Sequence, residues 1–521
     1  MELYLNRLNK RLIWEILKIN IKEYSISHSV KRSVSLNLEL KDIQNDLDSI
    51  NNLITENYTK GINVEDLELQ RNILQSKLVK HYKLKSEGIG VRSRAKWIGE
   101  GEKNSKYFLS LEKQRQSNNV IRKVKDGDEI VSRDTGILKS ITQFYETLYS
   151  KKTLTQANID DYLASIELPE LCTEDTQSCD SPFCEQEFET VISELKLNKS
   201  PGLDGLTPEF YKQFWNYLKI PYLDMIAESF SQGVLPESIR KSVVTLIYKK
   251  GDRELLQNYR PISLSNYDYK ILSFVLAKRL QKVIHNLIST DQTGYIKKRN
   301  IATNIRIISD VINKCEHENI PAAVIGLDFE KAFDSLNWEF MLKTVKKFGF
   351  GNFFCKWINI LYTKPTLIVK NNGWTTKNIF MEKGIRQGCP LSALLFILSV
   401  ECLSSNLRKS KSIEGVKIGD IEIRTLQYAD DTTLILANET SIVNALKVIQ
   451  NFTRLSGLKL NLEKCEGIWL GSLKNRPQNF HDIKFTSEPI KILGVYVGID
   501  SDKCISQRIG IRNSNNSKTY Y

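Results

Sequence analysis

The segment Tyr428-Ala429-Asp430-Asp431 constrains the fold of this chain more than any other stretch of its sequence. It lies between apolar runs, the second of which covers residues 434–436. β-Branched and aromatic residues on both sides of a polar tip predict a strand, a tight turn and a second strand. Two adjacent carboxylates there would be costly to bury, and a divalent cation such as Mg²⁺ would offset that cost. An acidic, solvent-facing turn is the alternative interpretation of the four residues taken alone.

Another carboxylate follows a buried-strand pattern earlier in the chain. The apolar run at 322–327 has the length of a strand and ends in Asp328, after which the sequence predicts a turn entering a helix. Asp334 is interpreted as a helix cap for the segment that follows. Sheet pairing would bring Asp328 to Asp430 and Asp431, and three convergent aspartates can hold two Mg²⁺ ions. The backbone carbonyl of Phe329 is a further candidate ligand.

The charge balance favours a polyanionic partner. The 521 residues include 74 Lys and Arg against 61 Asp and Glu, a net charge of +13. Basic residues are interleaved with aromatic ones between residues 91 and 125, where cations can neutralise phosphates and rings can stack on unpaired bases. Arg92, Arg94 and Lys96 are the candidate nucleic-acid contacts, and a solvated basic face is the alternative.

The cysteines and the apolar runs bear on the cellular setting. The nine cysteines are scattered, and their spacing matches neither a disulfide framework nor a zinc site. We therefore expect reduced thiols and an intracellular location, in the nucleus or the cytoplasm. No uninterrupted apolar stretch is long enough for a membrane-spanning helix, and the amino terminus does not open a secretory signal, so no membrane partner is expected.

The pattern along the chain predicts five parts. Residues 1–90 carry two helical stripes that meet at Thr59-Lys60-Gly61, which indicates an antiparallel helical hairpin. Residues 91–180 are predicted as the basic extension, followed from residue 150 by an acidic linker without periodicity. Residues 181–320 alternate helices, strands and basic turns, residues 321–498 carry the aspartates, and residues 499–521 form a polar tail.

Further motifs lie in a recognisable order around the aspartates. GIRQGCPLS at 384–392 is a glycine-rich turn entering a helix, which allows close approach to a nucleotide or a template base. SGLKLN at 456–461 is followed by Lys464, and residues 493–495 are predicted to lie in a last short strand. Together with LDFEKAFD and QYADD, this order resembles the reverse transcriptase of non-LTR (LINE-type) retrotransposons over roughly residues 90–498.

The resemblance implies an α+β fold with the fingers and palm of a right-hand polymerase. The fingers would occupy residues 181–320, and the palm, with an antiparallel sheet and the primer-grip strand, residues 321–498. The reverse transcriptase core would span about residues 240–498, preceded by the helical N-terminal region. The implied activity is RNA-directed DNA synthesis on an RNA template, with a DNA primer, deoxynucleotide triphosphates and two Mg²⁺ ions, Mn²⁺ being possible. The resemblance leaves the oligomeric state open.

The resemblance also implies roles for single residues. Asp328, Asp430 and Asp431 match the metal ligands, and Lys464 matches a proton donor to the leaving pyrophosphate. Phe333 matches the aromatic gate that excludes a 2′-hydroxyl. The remaining matches are Gln387 and Gly388 beside the incoming nucleotide, Arg299 on its triphosphate, and Arg260 and Gly494 on nucleic acid. Ala393 and Lys298 depart from the proline and the glycine usual at their positions.

We expect the sequence to be a fragment or degraded copy that lacks the endonuclease and most of the thumb of such proteins. A group II intron maturase-like polymerase is one alternative, and a non-catalytic nucleic-acid-binding remnant of a retroelement is another.

Overall fold

A computed structural model describes residues 9–93, 120–151, 159–500 and 502–506, with the side chains of 84–93 excepted. Helix and sheet are mixed throughout. The helices are α1 (Lys10–Thr59), α2 (Glu65–Ser93), α3 (Asp134–Tyr149), α4 (Ile159–Ser165), α5 (Thr173–Asp180), α6 (Glu185–Glu194), α7 (Pro208–Gln232), α8 (Glu237–Arg240), α9 (Tyr267–Leu287), α10 (Ile301–His317), α11 (Ala332–Ser335), α12 (Trp338–Lys347), α13 (Asn352–Leu361), α14 (Ser392–Lys409) and α15 (Glu439–Ser456).

The strands are short. They are β1 (Val124–Asp126), β2 (Glu129–Val131), β3 (Lys241–Tyr248), β4 (Tyr259–Ser265), β5 (Ala322–Leu327), β6 (Thr366–Asn371), β7 (Trp374–Thr375), β8 (Ile379–Phe380), β9 (Val416–Ile418), β10 (Ile421–Ile423), β11 (Thr425–Tyr428), β12 (Asp431–Leu436), β13 (Glu466–Leu470), β14 (Asn479–Phe480), β15 (Ile483–Phe485), β16 (Ile490–Ile492) and β17 (Val495–Val497). Short 3₁₀ turns cover Leu256–Asn258, Leu462–Lys464 and Gly471–Leu473.

The predicted N-terminal helical hairpin is confirmed. Helices α1 and α2 reverse direction at Lys60-Gly61, and Gln44 of α1 donates a hydrogen bond to the Tyr82 hydroxyl of α2 at 3.3 Å. The start of α1 is tied to the rest of the chain, because buried Trp14 donates from Nε1 to the Asp268 carboxylate at 3.1 Å. Lys18 donates to the same Oδ2 atom at 2.7 Å, and this charge pair anchors α1 at the start of α9.

A six-stranded sheet lies at the centre, with strand order β11-β12-β5-β13-β15-β14. Its first four strands are antiparallel, as predicted, but β15 joins β13 in parallel, so the sheet is mixed. Strand β5 is buried on both faces. Val324 packs in a cluster with α10, while Ala323 and Ile325 pack in the cluster that contains α14. Both faces being covered explains why β5 reads as a continuous apolar run instead of an alternating one.

A second sheet has the order β4-β3-β6-β7, with β8 also paired to β6. Buried residues of α3, among them Ile137 and Ile141, pack against Val244 of β3 and Leu367 of β6. Strands β3 and β6 run parallel, although they belong to different parts of the predicted domain division. The second sheet therefore combines strands from both sides of the predicted boundary at residue 320.

The structure corrects two local predictions. Part of the predicted linker folds into α4 and α5, and Ile159, Tyr162 and Leu163 are buried in the main core, because a few apolar residues in an acidic segment suffice to dock a short helix. Leu493 and Gly494 form the turn between β16 and β17 instead of lying in a strand, with φ of +53° and +80°. Positive φ at both turn residues suits a two-residue hairpin.

The thiols and the helices bear on the expected cellular setting. All nine cysteines are free, and most of them are buried. In the part of the chain that the structure describes, no helix combines the length and the apolar character that a membrane crossing requires.

Candidate active site

The aspartate pair lies on the predicted strand–turn–strand unit. Tyr428 at the end of β11 pairs with Asp431 at the start of β12, and Ala429 and Asp430 form the turn between them. Ala429 is buried and has a positive φ of +59°. The turn is therefore tight, and it presents the two carboxylates at one end of the central sheet.

Asp328 reaches the same end of the sheet through strand register. Strand β5 pairs with β12 so that Leu327 lies opposite Thr432. Continuing the antiparallel register by one residue sets Asp328 opposite Asp431. Strand pairing therefore carries Asp328 to the same end of the central sheet as Asp430 and Asp431.

The three carboxylates influence one another electrostatically. Asp431 is exposed but loses hydration on its protein-facing side, and this desolvation, with the negative charges of Asp430 and Asp328, raises its pKa to about 6. Desolvation also raises the pKa of Asp430, and the Asp328 charge adds to the effect. Lys249 and Arg260 oppose the rise at Asp430, so both cations lie close enough to act on the acidic cluster.

The residues at this site have the right chemistry for a divalent cation, but their side chains do not form a complete ligand group. Among the described residues, no three His, Cys, Asp or Glu side chains form a ready ligand group. Asp328 instead lies 3.8 Å from the Nζ atom of Lys464, which supplies the nearby positive charge. The donor chemistry still fits, because mutually repelling carboxylates are the hard oxygen ligands that Mg²⁺ prefers. Side-chain rotation would be needed to complete a ligand group.

The Phe329 backbone lies beside the same edge. Residues on either side of it bond to the segment after α15: Asn461 N donates to the Asp328 carbonyl, and Glu330 N donates to the Lys459 carbonyl, both at 2.8 Å. Neither of these hydrogen bonds uses the Phe329 carbonyl, which fits the prediction that it is a further ligand.

Asp334 is buried and is not a helix cap, which corrects the sequence interpretation. It lies within α11, is 3% exposed, and accepts a hydrogen bond from the Tyr149 hydroxyl at 3.1 Å. Gln387 Nε2 lies 3.3 Å and 3.2 Å from its two oxygens. Burial raises the pKa of Asp334 to about 6, and the hydrogen bond from Tyr149 and the charge of Lys331 oppose that rise. The sequence carried no local signal for this role, since its partners lie far away in the chain.

The loop that carries Gln387 and Gly388 packs directly against β4. Ser263 N donates to the Gln387 carbonyl at 2.9 Å. Gly388 has a φ of +109°, and a Cβ atom there would lie 2.8 Å from the Ser263 carbonyl oxygen. A glycine is therefore required at this close approach. The structure thus holds both predicted nucleotide-site residues on a fixed loop beside Asp334.

Phe333 is partly exposed and has aromatic neighbours. Its ring stacks on buried Phe396 with centroids 4.5 Å apart and an interplanar angle of 18°. Tyr295 meets the same ring edge to face at 6.4 Å. Desolvation and the Asp430 charge raise the pKa of the Tyr295 phenol, which places this half-exposed ring beside the aspartate turn. Sequence reasoning did not single out Tyr295 as a residue near the site, although an aromatic residue in a basic turn was a signal in the sequence. Its φ of +58° in the structure is unusual for a residue other than glycine.

The Arg299 guanidinium binds the backbone that follows α9. It donates to the carbonyls of Gln292 at 2.7 Å and Ile288 at 2.8 Å, and to that of Ser289. It therefore satisfies backbone acceptors after the end of α9, and its contact with a triphosphate stays a prediction.

The remaining predicted nucleic-acid contacts are scattered. Arg260 is exposed on β4 near the aspartates, whereas Gly494 lies on the exposed β16–β17 turn. Arg92 lies in α2, but its side chain is outside the described residues, as are Arg94 and Lys96 altogether.

Comparison with known proteins agrees with this geometry. Residues 247–497 match the family model described as reverse transcriptase (RNA-dependent DNA polymerase), and these bounds include all three aspartates. The chain is 28% identical over 513 residues to the "Transposon TX1 uncharacterized 149 kDa protein" of Xenopus laevis, a match that covers 95% of the chain and 38% of that protein.

Relatives from insects match a shorter part of the chain. The "Retrovirus-related Pol polyprotein from type-2 retrotransposable element R2DM" of Drosophila melanogaster is 29% identical over 52% of this chain and 25% of its own length. The Pol polyprotein from the type-1 retrotransposable element R2 of Popillia japonica is 28% identical over 55% of this chain and 39% of its own length. The chain thus spans less than half the length of each of these relatives. Residues 247–497 thus match the reverse transcriptase family, and the chain is similar to proteins of transposon TX1 and of R2 retrotransposable elements.

Proposed function

We propose that this chain is an RNA-directed DNA polymerase of a non-LTR retrotransposon, which extends a DNA primer on an RNA template. One observation carries the proposal. The register of β5 and β12 sets Asp328 opposite Asp431, next to Asp430, within the reverse transcriptase domain. Carboxylates from separate strands at one sheet edge suit nucleotidyl transfer, in which positioning and charge stabilisation supply most of the catalysis.

In this proposal the six-stranded sheet is the palm of a right-hand polymerase, and the second sheet with α9 belongs to the fingers. Asp328, Asp430, Asp431 and the Phe329 carbonyl would hold two Mg²⁺ ions, or Mn²⁺, which when bound activate the primer 3′-hydroxyl and neutralise the triphosphate. The nine free cysteines are in keeping with a reducing intracellular setting, the nucleus or the cytoplasm.

Side chains of the protein would bind the nucleotide, neutralise its phosphates and transfer a proton. Gln387, held by Asp334, would orient the incoming nucleotide, and Lys249 and Arg260 would neutralise phosphates. When the Asp328 carboxylate binds a metal ion, Lys464 would leave it and donate a proton to the leaving pyrophosphate. Phe333 presents the exposed part of its ring where a deoxyribose could pack.

The test is primer extension on a defined RNA template with deoxynucleotide triphosphates. Asp430→Asn should reduce incorporation by at least about a hundredfold, or about 2.7 kcal/mol, because it removes a carboxylate needed at the reacting centre. RNA affinity should stay close to that of the parent, because it comes from distributed Lys and Arg contacts. Asp420→Asn, an exposed aspartate on the β9–β10 turn, is the matched control and should leave both unchanged.

Three other outcomes of this experiment would contradict the proposal or indicate a different cause. An Asp430→Asn protein that extends primers at the parental rate would contradict the role of that carboxylate. Parallel loss of RNA binding would indicate misfolding. A parent protein that binds RNA but never extends a primer would favour the non-catalytic remnant.

A further inference from the structure

The aspartate turn contains an unfavourable backbone conformation. Ala429 has a φ of +59° and is 3% exposed. Residues other than glycine avoid this region because Cβ crowds the carbonyl oxygen. Neighbouring groups must therefore hold Ala429 in place for the turn to keep its shape.

Gln292 binds both backbone groups of Ala429. Its Oε1 atom accepts from Ala429 N at 2.9 Å, and its Nε2 atom donates to the Ala429 carbonyl at 3.3 Å. The same Oε1 atom accepts from Gly294 N at 2.8 Å, and the side chain is buried, being 1% exposed. The carboxamide thus pairs with the turn residue as a neighbouring strand would.

The backbone around Gln292 is itself fixed to β11. Gln427 N donates to the Asp291 carbonyl at 2.8 Å, and Thr293 N donates to the Gln427 carbonyl at 2.9 Å. Asn304 Nδ2 donates to that same Gln427 carbonyl at 2.8 Å. Since β11 is the outer strand of the central sheet, residues 291–293 extend the sheet and aim the Gln292 side chain at the turn.

The approach of this segment to the turn is close. A Cβ atom on Gly294 would lie 2.4 Å from Ala429 N, so a larger residue would push the two segments apart. On the other side, Arg299 binds the Gln292 carbonyl at 2.7 Å. Gln292 is therefore held from both sides.

We propose that Gln292 is a positioning residue that holds Ala429 at positive φ and so sets the directions of the Asp430 and Asp431 carboxylates. This inference rests on the proposed function. Without the two hydrogen bonds Ala429 would relax towards negative φ, and the carboxylates after it would turn away from Asp328. Divalent-cation affinity and kcat should then fall, whereas the KM for deoxynucleotides should change little, because Gln292 is buried beneath the turn.

The experiment compares Gln292→Met with the parent, since methionine is similar in length but makes neither hydrogen bond. We would measure Mn²⁺ affinity without nucleotide by electron paramagnetic resonance, and kcat and KM in primer extension. Loss of the two hydrogen bonds to Ala429 predicts roughly a tenfold or larger fall in Mn²⁺ affinity and kcat.

A second background separates positioning from general stability. Glycine tolerates positive φ, so Ala429→Gly removes the strain that Gln292 opposes. Gln292→Met should therefore cost Mn²⁺ affinity and kcat several-fold less in the Ala429→Gly background than in the parent. A purely structural glutamine would give equal losses in both backgrounds.

The outcomes are distinguishable. A Gln292→Met protein with parental Mn²⁺ affinity would overturn the inference, as would equal losses in the two backgrounds. A parent that binds Mn²⁺ but does not extend primers would count against the proposed function alone, and the Mn²⁺ comparison would still decide the role of Gln292. A parent that binds no Mn²⁺ would overturn both.

Discussion

The Gln387 amide donates to the buried carboxylate of Asp334, with Nε2 lying 3.2 Å from Oδ2 and 3.3 Å from Oδ1. Tyr149 donates to the same carboxylate from α3 at 3.1 Å. One buried charge thus joins α11, the loop before α14 and the end of α3. Because a buried carboxylate needs such donors, the three elements are held in a fixed relation.

Asp334→Asn should loosen Gln387. The new amide offers one acceptor oxygen, for which the Tyr149 hydroxyl and the Gln387 amide compete. Its NH₂ group would face the Nε2 atom of Gln387, which is also a donor. We expect the KM for deoxynucleotides to rise by about tenfold, equivalent to about 1.4 kcal/mol, with a smaller change in kcat. Steady-state primer extension measures both. Tyr149→Phe is the matched control, since it removes one donor and leaves Gln387 its acceptors, and an equal KM effect there would contradict the assignment.

The raised pKa of Asp334, about 6, gives a dependence on pH. Protonation below that value removes acceptor capacity for Gln387, so the KM should rise as pH falls from 7 to 5.5. The effect on the stability of the fold runs the other way, because the Asp334 contribution to stability is larger at low pH. A carboxyl whose folded pKa is raised above 3.8 stabilises the fold at low pH, and this contribution is lost as pH rises through about 6. Asp334→Asn should flatten both profiles, as measured by kinetics and thermal melting.

The parts of the site that the sequence predicted are those determined locally. The aspartate hairpin and strand β5 follow from apolar runs interrupted by acidic residues, and the register then brings Asp328 to Asp431. Asp334 was misinterpreted because its donor Tyr149 lies 185 residues away, a separation that no local pattern reports.

Two other features that the sequence did not predict have physical reasons of the same kind. Helices α4 and α5 were missed because their sequence is mostly acidic and polar, and only a few of their side chains pack on the core. The resemblance implied a triphosphate contact for Arg299, and no local pattern predicted that the carbonyls after α9 would bind its guanidinium. In both cases the contacts are made by residues that are not adjacent in the chain.

Arg299→Ala should therefore destabilise the chain instead of weakening nucleotide binding. The loss leaves the carbonyls of Ile288 and Gln292 without their donor, at a cost of roughly 2 kcal/mol. Thermal melting measures the effect, and kcat should fall more than KM rises because Gln292 loses an anchor. Arg306→Ala, on an exposed arginine of α10, should change little. A large KM increase at unchanged melting temperature would instead support the triphosphate contact.

Lys298 occupies a strained position that a glycine would relieve. Its φ is +67°, in the region where a side chain crowds the backbone, and its side chain is exposed. Lys298→Gly should therefore stabilise the fold by up to about 1 kcal/mol, despite the usual entropic cost of glycine. Lys297→Gly is the control, since that exposed neighbour has no positive φ and the change should not stabilise. Equal shifts in melting temperature for the two variants would contradict the strain argument.

The basic segment can be tested although its side chains lie outside the described residues. Replacing Arg92, Arg94 and Lys96 by alanine should weaken RNA binding and flatten its dependence on salt. Each lost phosphate contact should lower the slope of log affinity against log salt by roughly 0.7 to 0.9. An unchanged slope would indicate a solvated basic face.

The stacking of Phe333 on Phe396 separates sugar selection from packing. One face of the Phe333 ring is covered by Phe396, while part of the ring stays exposed beside Tyr295. Phe333→Ala should thus have two effects, a lower melting temperature from the void against Phe396 and relaxed exclusion of ribonucleotides. The ratio of kcat/KM for deoxyribonucleotides over ribonucleotides should fall by about tenfold or more, equivalent to roughly 1.4 kcal/mol.

Phe396→Leu distinguishes the two effects. It disturbs the same stack from the buried side, so it should lower the melting temperature while leaving the sugar ratio near that of the parent. If both variants relaxed sugar selection in proportion to their loss of stability, Phe333 would be a packing residue and not a gate. If Phe333→Ala alone relaxed it, the exposed edge of this ring would be the part that meets the sugar, because only that variant removes it.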